Sequence, residues 1–256
     1  MARSTSGESL MSRVVRIYEA FGSEHRAVTL TELAQRSDLP LATASRLVSE
    51  LIEHGWLYRD AQRRVCVGVR MWELVSRAAP TVGLREAAVP IMADLHAAVG
   101  HHVQLAVLQD REVLYIERLS ASRAIRNRVR VAGRLPLHAT SSGLVLLAHS
   151  PSGVQEMALS RPLRALTPRT ITDPVALRSA LSEVRRTGVA YCPGFVDECA
   201  TGIAVPVRGS GNQVVAALSV LVPHDLAARR VIPVLRSAGC DISSSLAGGT
   251  TLHGIA

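Results

Sequence analysis

The chain contains no lysine: all 29 of its basic residues are arginine, set against 21 acids for a net charge of +8. With Ala, Val and Leu abundant, that bias fits a GC-rich coding sequence as well as it fits a phosphate-binding surface. The first 80 residues hold 11 Arg and 9 acids, and residues 81–256 hold 18 and 12. Basicity is therefore compatible with a nucleic-acid partner but does not locate one. Long apolar runs are also missing, since nothing approaches the roughly 20 residues that span a bilayer. Residues 1–10 are polar and lack the apolar region of a signal peptide, so a cytoplasmic protein with no membrane partner is expected. The four cysteines (Cys66, Cys192, Cys199 and Cys240) are scattered without CxxC or Cys/His ligand spacing. That argues against a metal site and against a disulfide framework. There is no internal repeat, and no cofactor or catalytic residue is expected.

What is present suggests two domains, because 256 residues exceed the usual single-domain size of roughly 100–200. Residues 9–21 place Leu10, Val14, Ile17, Tyr18 and Phe21 on one helical stripe that ends at Gly22. A second helix follows, N-capped by Thr29 or Thr31, with Leu30, Leu33 and Ala34 facing inward. Asp38-Leu39-Pro40 breaks it, Leu39 serving as a core plug. Residues 41–54 form a third helix that buries Ala44, Leu47, Val48, Leu51 and Ile52 and closes at Gly55. Two short β-prone arms then span residues 56–67, around a polar turn at 60–63.

This is the pattern of a helix-turn-helix followed by a wing, whose second helix would enter the major groove of double-stranded operator DNA. The candidate DNA contacts are Thr31, Ala42, Thr43, Ser45, Arg46 and Ser49, with Arg59, Arg63 and Arg64 on the wing. Hydroxyl and guanidinium groups reach base edges or phosphates, and Ala42 suits a thymine methyl group. The same pattern also describes a three-helix module used for protein contacts.

Residues 69–79 return to helical periodicity, and Pro80 to Gly83 interrupt it, which reads as a linker over 69–83. The remainder reads as α+β. Helices are expected at 84–99, 139–149, 173–187 and 225–246. A hairpin is expected over 102–108 and 112–119, and further strands at 125–131, 189–192, 202–208 and 214–221. In the 125–131 strand a period of two sets Arg126, Arg128 and Arg130 against Ile125, Asn127, Val129 and Val131. Asn127 then either bonds to backbone or water, or lines a ligand pocket. Thr140, Ser141 and Ser142 start a helix, where they act as plain caps or hold an anion such as a carboxylate. His101 and His102 point to opposite faces of a strand and cannot share a metal.

Four segments, LTELAQRSDLPLATASRLVSELIEHGWLYRD from Leu30, GRLPLHATSSG from Gly133, TPRTITD from Thr167 and GIAVPV from Gly202, occur in an order that resembles the IclR family of bacterial transcriptional regulators. The resemblance runs over residues 9–246. It implies a winged helix-turn-helix (1–68), a linker helix (69–83) and a GAF-like α/β effector-binding domain (84–256). It also implies a homodimer or tetramer and a small-molecule effector, a carboxylate or aromatic acid. By position it brings Ser141, Ser142, Ala200, Gly202, Ser219 and Leu221 to the effector, with Cys192 as a weaker candidate. Ser219, polar within an apolar strand, independently fits a wall hydroxyl. The chain departs from the family at Asp38, where a glycine is usual, at Leu41, Ala42 and Leu144, and in the acids around residues 194–198. A repressor is the expected role. The alternatives are a protein-interaction module with a degenerate helix-turn-helix, or a thiol enzyme using Cys192 and Cys199.

Overall fold

The computed structural model describes residues 8–248 apart from 23, 80, 122–129 and 226. The chain divides into two compact units, Met1–Ala79 and Pro80–Ala256.

The first unit runs α1 (Leu10–Glu19), β1 (Ala27–Val28), α2 (Leu30–Arg36), α3 (Leu41–Glu53), β2 (Leu57–Arg59), β3 (Val65–Val67) and α4 (Val69–Ala78). Its core joins Ile17, Val28, Leu33, Leu39, Leu47, Val48, Leu57 and Val65, the inward positions of each period. Capping of α2 falls to Thr29. Its hydroxyl accepts the Glu32 N–H, and the Glu32 carboxylate in turn accepts from the Thr29 backbone N–H at 2.8 Å. The turn before α3 contains Asp38 at φ 50°, a left-handed conformation that Asp adopts at modest cost. Leu39 beside it is buried. The wing strands pair antiparallel, Leu57 opposite Val67 and Arg59 opposite Val65. The Asp60 carboxylate shapes their turn by accepting from the Gln62 and Arg64 N–H groups. β1 adds a third strand beside β3, and two residues are too few to show a period of two. α4 buries none of its residues.

The second unit runs α5 (Thr81–Val99), β4 (His102–Gln109), β5 (Glu112–Leu119), β6 (Arg134–Pro136), a 3-10 turn (Leu137–Ala139), α6 (Ser141–Ala148), α7 (Ser152–Leu159), α8 (Pro174–Thr187), β7 (Ala190–Pro193), β8 (Ala200–Arg208), β9 (Val214–Pro223), a second 3-10 turn (Ala228–Val231) and α9 (Ile232–Gly248). Six strands form one antiparallel sheet in the order β6-β5-β4-β9-β8-β7. Helices α5 and α9 cover one face, over Leu105, Ile203, Val205, Leu218 and Val220. Helices α6 and α8 cover the other, over Ala106, Tyr115, Ala190, Ala204 and Ala217. β9 lies centrally and is packed on both sides, so it reads as an apolar run broken only by Ser219. The small residues Ala106, Ala204 and Ala217 leave room for α6, which is buried along its whole length.

Several elements differ from the sequence expectation. α5 starts at Thr81 rather than Leu84 and contains Gly83, so residues 81–83, read as part of the break, are helical. The last helix starts at Ile232 rather than 225, because the Asp225 carboxylate accepts the Ala227 N–H and holds a bend there. The helix read at 139–149 is a 3-10 turn followed by α6, joined at the cap residue Thr140. β6 and α7 were not expected. Of the strand at 125–131, residues 125–129, including Asn127, lie outside the described residues, and 130–131 form no strand.

Candidate DNA-reading surface and ligand pocket

On α3, Ala42, Arg46 and Ser49 are exposed, and Thr43 and Ser45 are half-buried on the same outward side. Arg46 lies 3.5 Å from Glu50, so part of its charge is already countered. Thr31 sits exposed in the first turn of α2. The wing arginines differ in freedom. Arg64 is held by the Asp60 carboxylate at 2.7 Å, and Arg59 donates to the Arg63 carbonyl at 3.1 Å. Arg63 occupies the tip at φ 60°, is exposed, and makes no ion pair among the described residues. It is the wing cation best placed to meet phosphate.

In the second unit a pocket opens between the sheet and the start of α6. Of the residues singled out from the sequence, Ser141, Cys192, Ala200, Gly202 and Leu221 line it. Ser142 and Ser219 do not; the Ser142 hydroxyl donates to the Ser219 hydroxyl at 3.0 Å in a buried pair beside the pocket. About 40 Å³ is open to the centre of a water-sized sphere, which sets a small occupant. Thr140, the N-cap of α6, accepts the Gly143 N–H at 3.0 Å. The N–H groups of Ser141 and Ser142 have no partner within the helix by α-helical geometry, and the positive end of the helix dipole favours an anion there. Gly202 lies directly beneath Ser141, whose hydroxyl would sit 2.9 Å from any Cβ at that position.

Sequence reading missed Gln104, Tyr115 and residues 195–197, all of which line the pocket. Gln104 is 4% exposed, and its amide nitrogen has no hydrogen-bond partner among the described residues. The signal was present: a Gln amid the apolar β4 is as anomalous as Ser219 in β9. Tyr115 is fully buried, which pushes its phenol up to about 12 despite hydrogen bonds with the Thr140 and Ser142 hydroxyls. Residues 195–197 reach the pocket through long-range contacts. The Thr167 hydroxyl donates to the Gly194 carbonyl at 2.6 Å, and the Thr170 hydroxyl to the Phe195 carbonyl at 2.7 Å.

The Tyr115 shift has a measurable consequence. Below pH 10 the phenol is protonated in both folded and unfolded chains. Between about pH 10 and 12 only the unfolded chain releases the proton, so stability falls as pH rises through that window. The loss is about 2–3 kcal/mol for a shift of this size. Urea unfolding from pH 9 to 12 is expected to show this slope in the wild type and a shallower one in Tyr115→Phe. Equal slopes would place the tyrosine elsewhere.

Burial also pushes the Cys192 thiol up, which keeps it protonated and unreactive, while Cys199 is exposed. His102 is buried in β4, and His96 Nδ1 bonds the His101 carbonyl at 2.7 Å. Among the described residues no group of His, Cys, Asp and Glu has the arrangement of a metal site, and no helix is long and apolar enough to cross a membrane.

An outward helix behind a tight turn, a wing beside it, and a small buried pocket in a separate unit define a DNA-binding regulator with a ligand-binding domain. Residues 11–61 match the IclR helix-turn-helix domain, and residues 76–244 match the bacterial transcriptional regulator IclR C-terminal domain. An IclR homologue from Microbacterium hydrocarbonoxydans, crystallised with 4-hydroxybenzoate, is 44% identical with a TM-score of 0.91, the match covering 94% of this chain and 100% of that one. The probable transcriptional regulator SauR of Cupriavidus necator is 31% identical over 214 residues, 82% of this chain and 84% of SauR. The Pca regulon regulatory protein of Pseudomonas putida is 27% identical over 245 residues, 93% of this chain and 84% of that protein. The chain belongs to the IclR family. It is a DNA-binding transcriptional regulator and not an enzyme, which removes the thiol-enzyme reading.

Proposed function

We propose that the protein is a repressor that binds operator DNA as a homodimer, or as a tetramer built from such dimers, and is controlled by a small aromatic carboxylic acid. In this reading residues 1–68 hold the DNA, 69–83 link, and 84–256 bind the effector. The observation that carries it is the pocket of the second unit. One wall is a helix start suited to a carboxylate, and another is the buried Gln104 amide, whose nitrogen lacks a partner among the described residues. An unpaired buried polar group costs roughly 1–3 kcal/mol, and a ligand bearing a second polar group would recover it. A hydroxylated benzoate has both ends, and the Microbacterium homologue holds 4-hydroxybenzoate. Ser141 and Leu221 complete the wall, with Asn127 as a further proposed contact.

Fluorescence anisotropy on promoter DNA from the neighbouring operon, with and without 4-hydroxybenzoate, tests the whole reading. Arg46→Ala is expected to weaken specific binding about tenfold, in line with 1–3 kcal/mol for a base-reading arginine. If the wild type shows no salt-dependent specific binding, the chain is a protein-contact module instead.

Gln104→Leu tests the pocket. Removing an unpaired buried amide is expected to leave ligand-free stability unchanged or raised by about 1 kcal/mol. Affinity for 4-hydroxybenzoate should fall about tenfold while that for benzoate changes little, as read by thermal shift. Equal losses for both acids would assign Gln104 a packing role only.

A further inference from the structure

A second cavity lies on the outer side of the 3-10 turn at Leu137–Ala139, between α7 and the β4–β5 turn. It offers about 220 Å³ to water-sized centres, several times the room in the first pocket. Its floor is apolar, made by Leu137, Val154, Ala158 and Leu163. Its rim carries Arg111, Arg161 and Arg164, all exposed and none in an ion pair among the described residues. Glu112 on the same lining is already met by Arg134 at 3.8 Å. Arg111 sits in a left-handed turn, at φ 73°. An apolar trough under three uncommitted guanidinium groups matches one kind of molecule, an organic anion with a sizeable apolar body.

The trough touches the elements that build the first pocket. Leu137 and His138 line the trough, and the next two residues, Ala139 and Thr140, line the first pocket. His138 Nε2 donates to the Arg164 carbonyl at 3.0 Å, tying the rim to this turn. Three residues further on, Thr167 holds the Gly194 carbonyl at the edge of the loop over the first pocket. Gly143 seats α6 against Leu137 without room for a side chain. A displacement at Leu137–His138 is therefore passed to the start of α6.

From this geometry we infer that the trough is a second small-molecule site, taking an aryl carboxylate larger than the first pocket admits, and that its occupancy alters affinity in the first pocket. The coupling half rests on the effector reading above; the site itself does not.

The test is calorimetric titration of the full-length protein with 2-naphthoate, comparing wild type, Arg161→Ala/Arg164→Ala and Arg161→Lys/Arg164→Lys. Both arginines are exposed, so unchanged ligand-free melting is the folding control. The wild type should bind, the alanine pair should bind at least tenfold more weakly, and the lysine pair should recover part of the loss. With 2-naphthoate saturating, the Kd for 4-hydroxybenzoate should shift at least threefold in the wild type and not in the alanine pair. No binding at low millimolar concentration, or equal binding in the alanine pair, overturns the site. Binding that depends on the arginines without any shift for 4-hydroxybenzoate overturns the coupling and leaves the site standing.

Discussion

A protein carrying Trp72→Asp together with Val75→Asp is expected to sediment as a monomer and to bind operator DNA at least about 100-fold more weakly. The reason lies in α4, where Val69 is 69% exposed, Trp72 68%, Leu74 51% and Val75 46%. α1 adds Met11 at 70%, Leu10 at 48% and Val15 at 49%. The apolar side of α4 is uncovered among the described residues of its unit, and α1, although it seats Ile17 in the core, leaves these three further side chains exposed. Burying such side chains is worth about 1.5–3 kcal/mol each, so leaving them in water is the costly alternative. In the proposed dimer a second copy would supply the cover and also give the two-fold pair of recognition helices that a palindromic operator requires. Because α4 buries none of its residues, two aspartates there leave the fold of each unit intact. Analytical ultracentrifugation and anisotropy on the same preparation decide the matter. A double variant that remains dimeric with native DNA affinity would mean that α4 is not the interface.

Gly143→Val is expected to destabilise the second unit by more than about 4 kcal/mol, enough to leave it largely unfolded at room temperature. A Cβ at this position overlaps the carbonyl oxygen of Leu137, which is backbone and has no rotamer to escape into. The surrounding α6 is buried throughout, so the helix cannot lift away without opening the core formed with Ala106, Tyr115, Ala204 and Ala217. The cap bond from the Gly143 N–H to the Thr140 hydroxyl lies at the same point, so any shift that relieves the overlap also strains it. Gly143→Ala meets the same overlap with a smaller group and should fall between the valine variant and wild type. Urea unfolding monitored by circular dichroism reads both. A valine variant with a native midpoint would show that α6 is not seated on Leu137 as described.

Much of the first unit was legible because its helices are amphipathic and its turn residues are specific. Ile17, Leu33, Leu47 and Val48 fall where a period of 3.6 places them, and Leu39 plugs the core between Asp38 and Pro40. Less was legible where the chain uses local exceptions. A glycine inside α5 reads as a breaker, yet the helix carries Gly83 in its first turn. β6 has three residues and pairs only with β5, so no periodicity announces it. The pocket divides in the same way. Ser141 and Gly202 carry a signal in their own neighbourhood, whereas the loop at 194–195 is also tied to Thr167 and Thr170, contacts no local pattern encodes. Ser219 has the polarity expected of a wall group but is turned to Ser142 instead.

Asp38 closes the turn from which the recognition helix departs, and its carboxylate is fully exposed, with Arg16 3.6 Å away as its partial counterion. DNA is a polyanion, so a negative charge at that doorstep opposes the approach the helix makes. A glycine would remove both the left-handed backbone cost and the repulsion. For a switch, however, grip is useful only up to a limit. An effector typically contributes 1–3 kcal/mol of coupling and can release only DNA held within that margin. On the proposed reading, the charge of Asp38 would limit operator affinity and so keep release within reach of the effector.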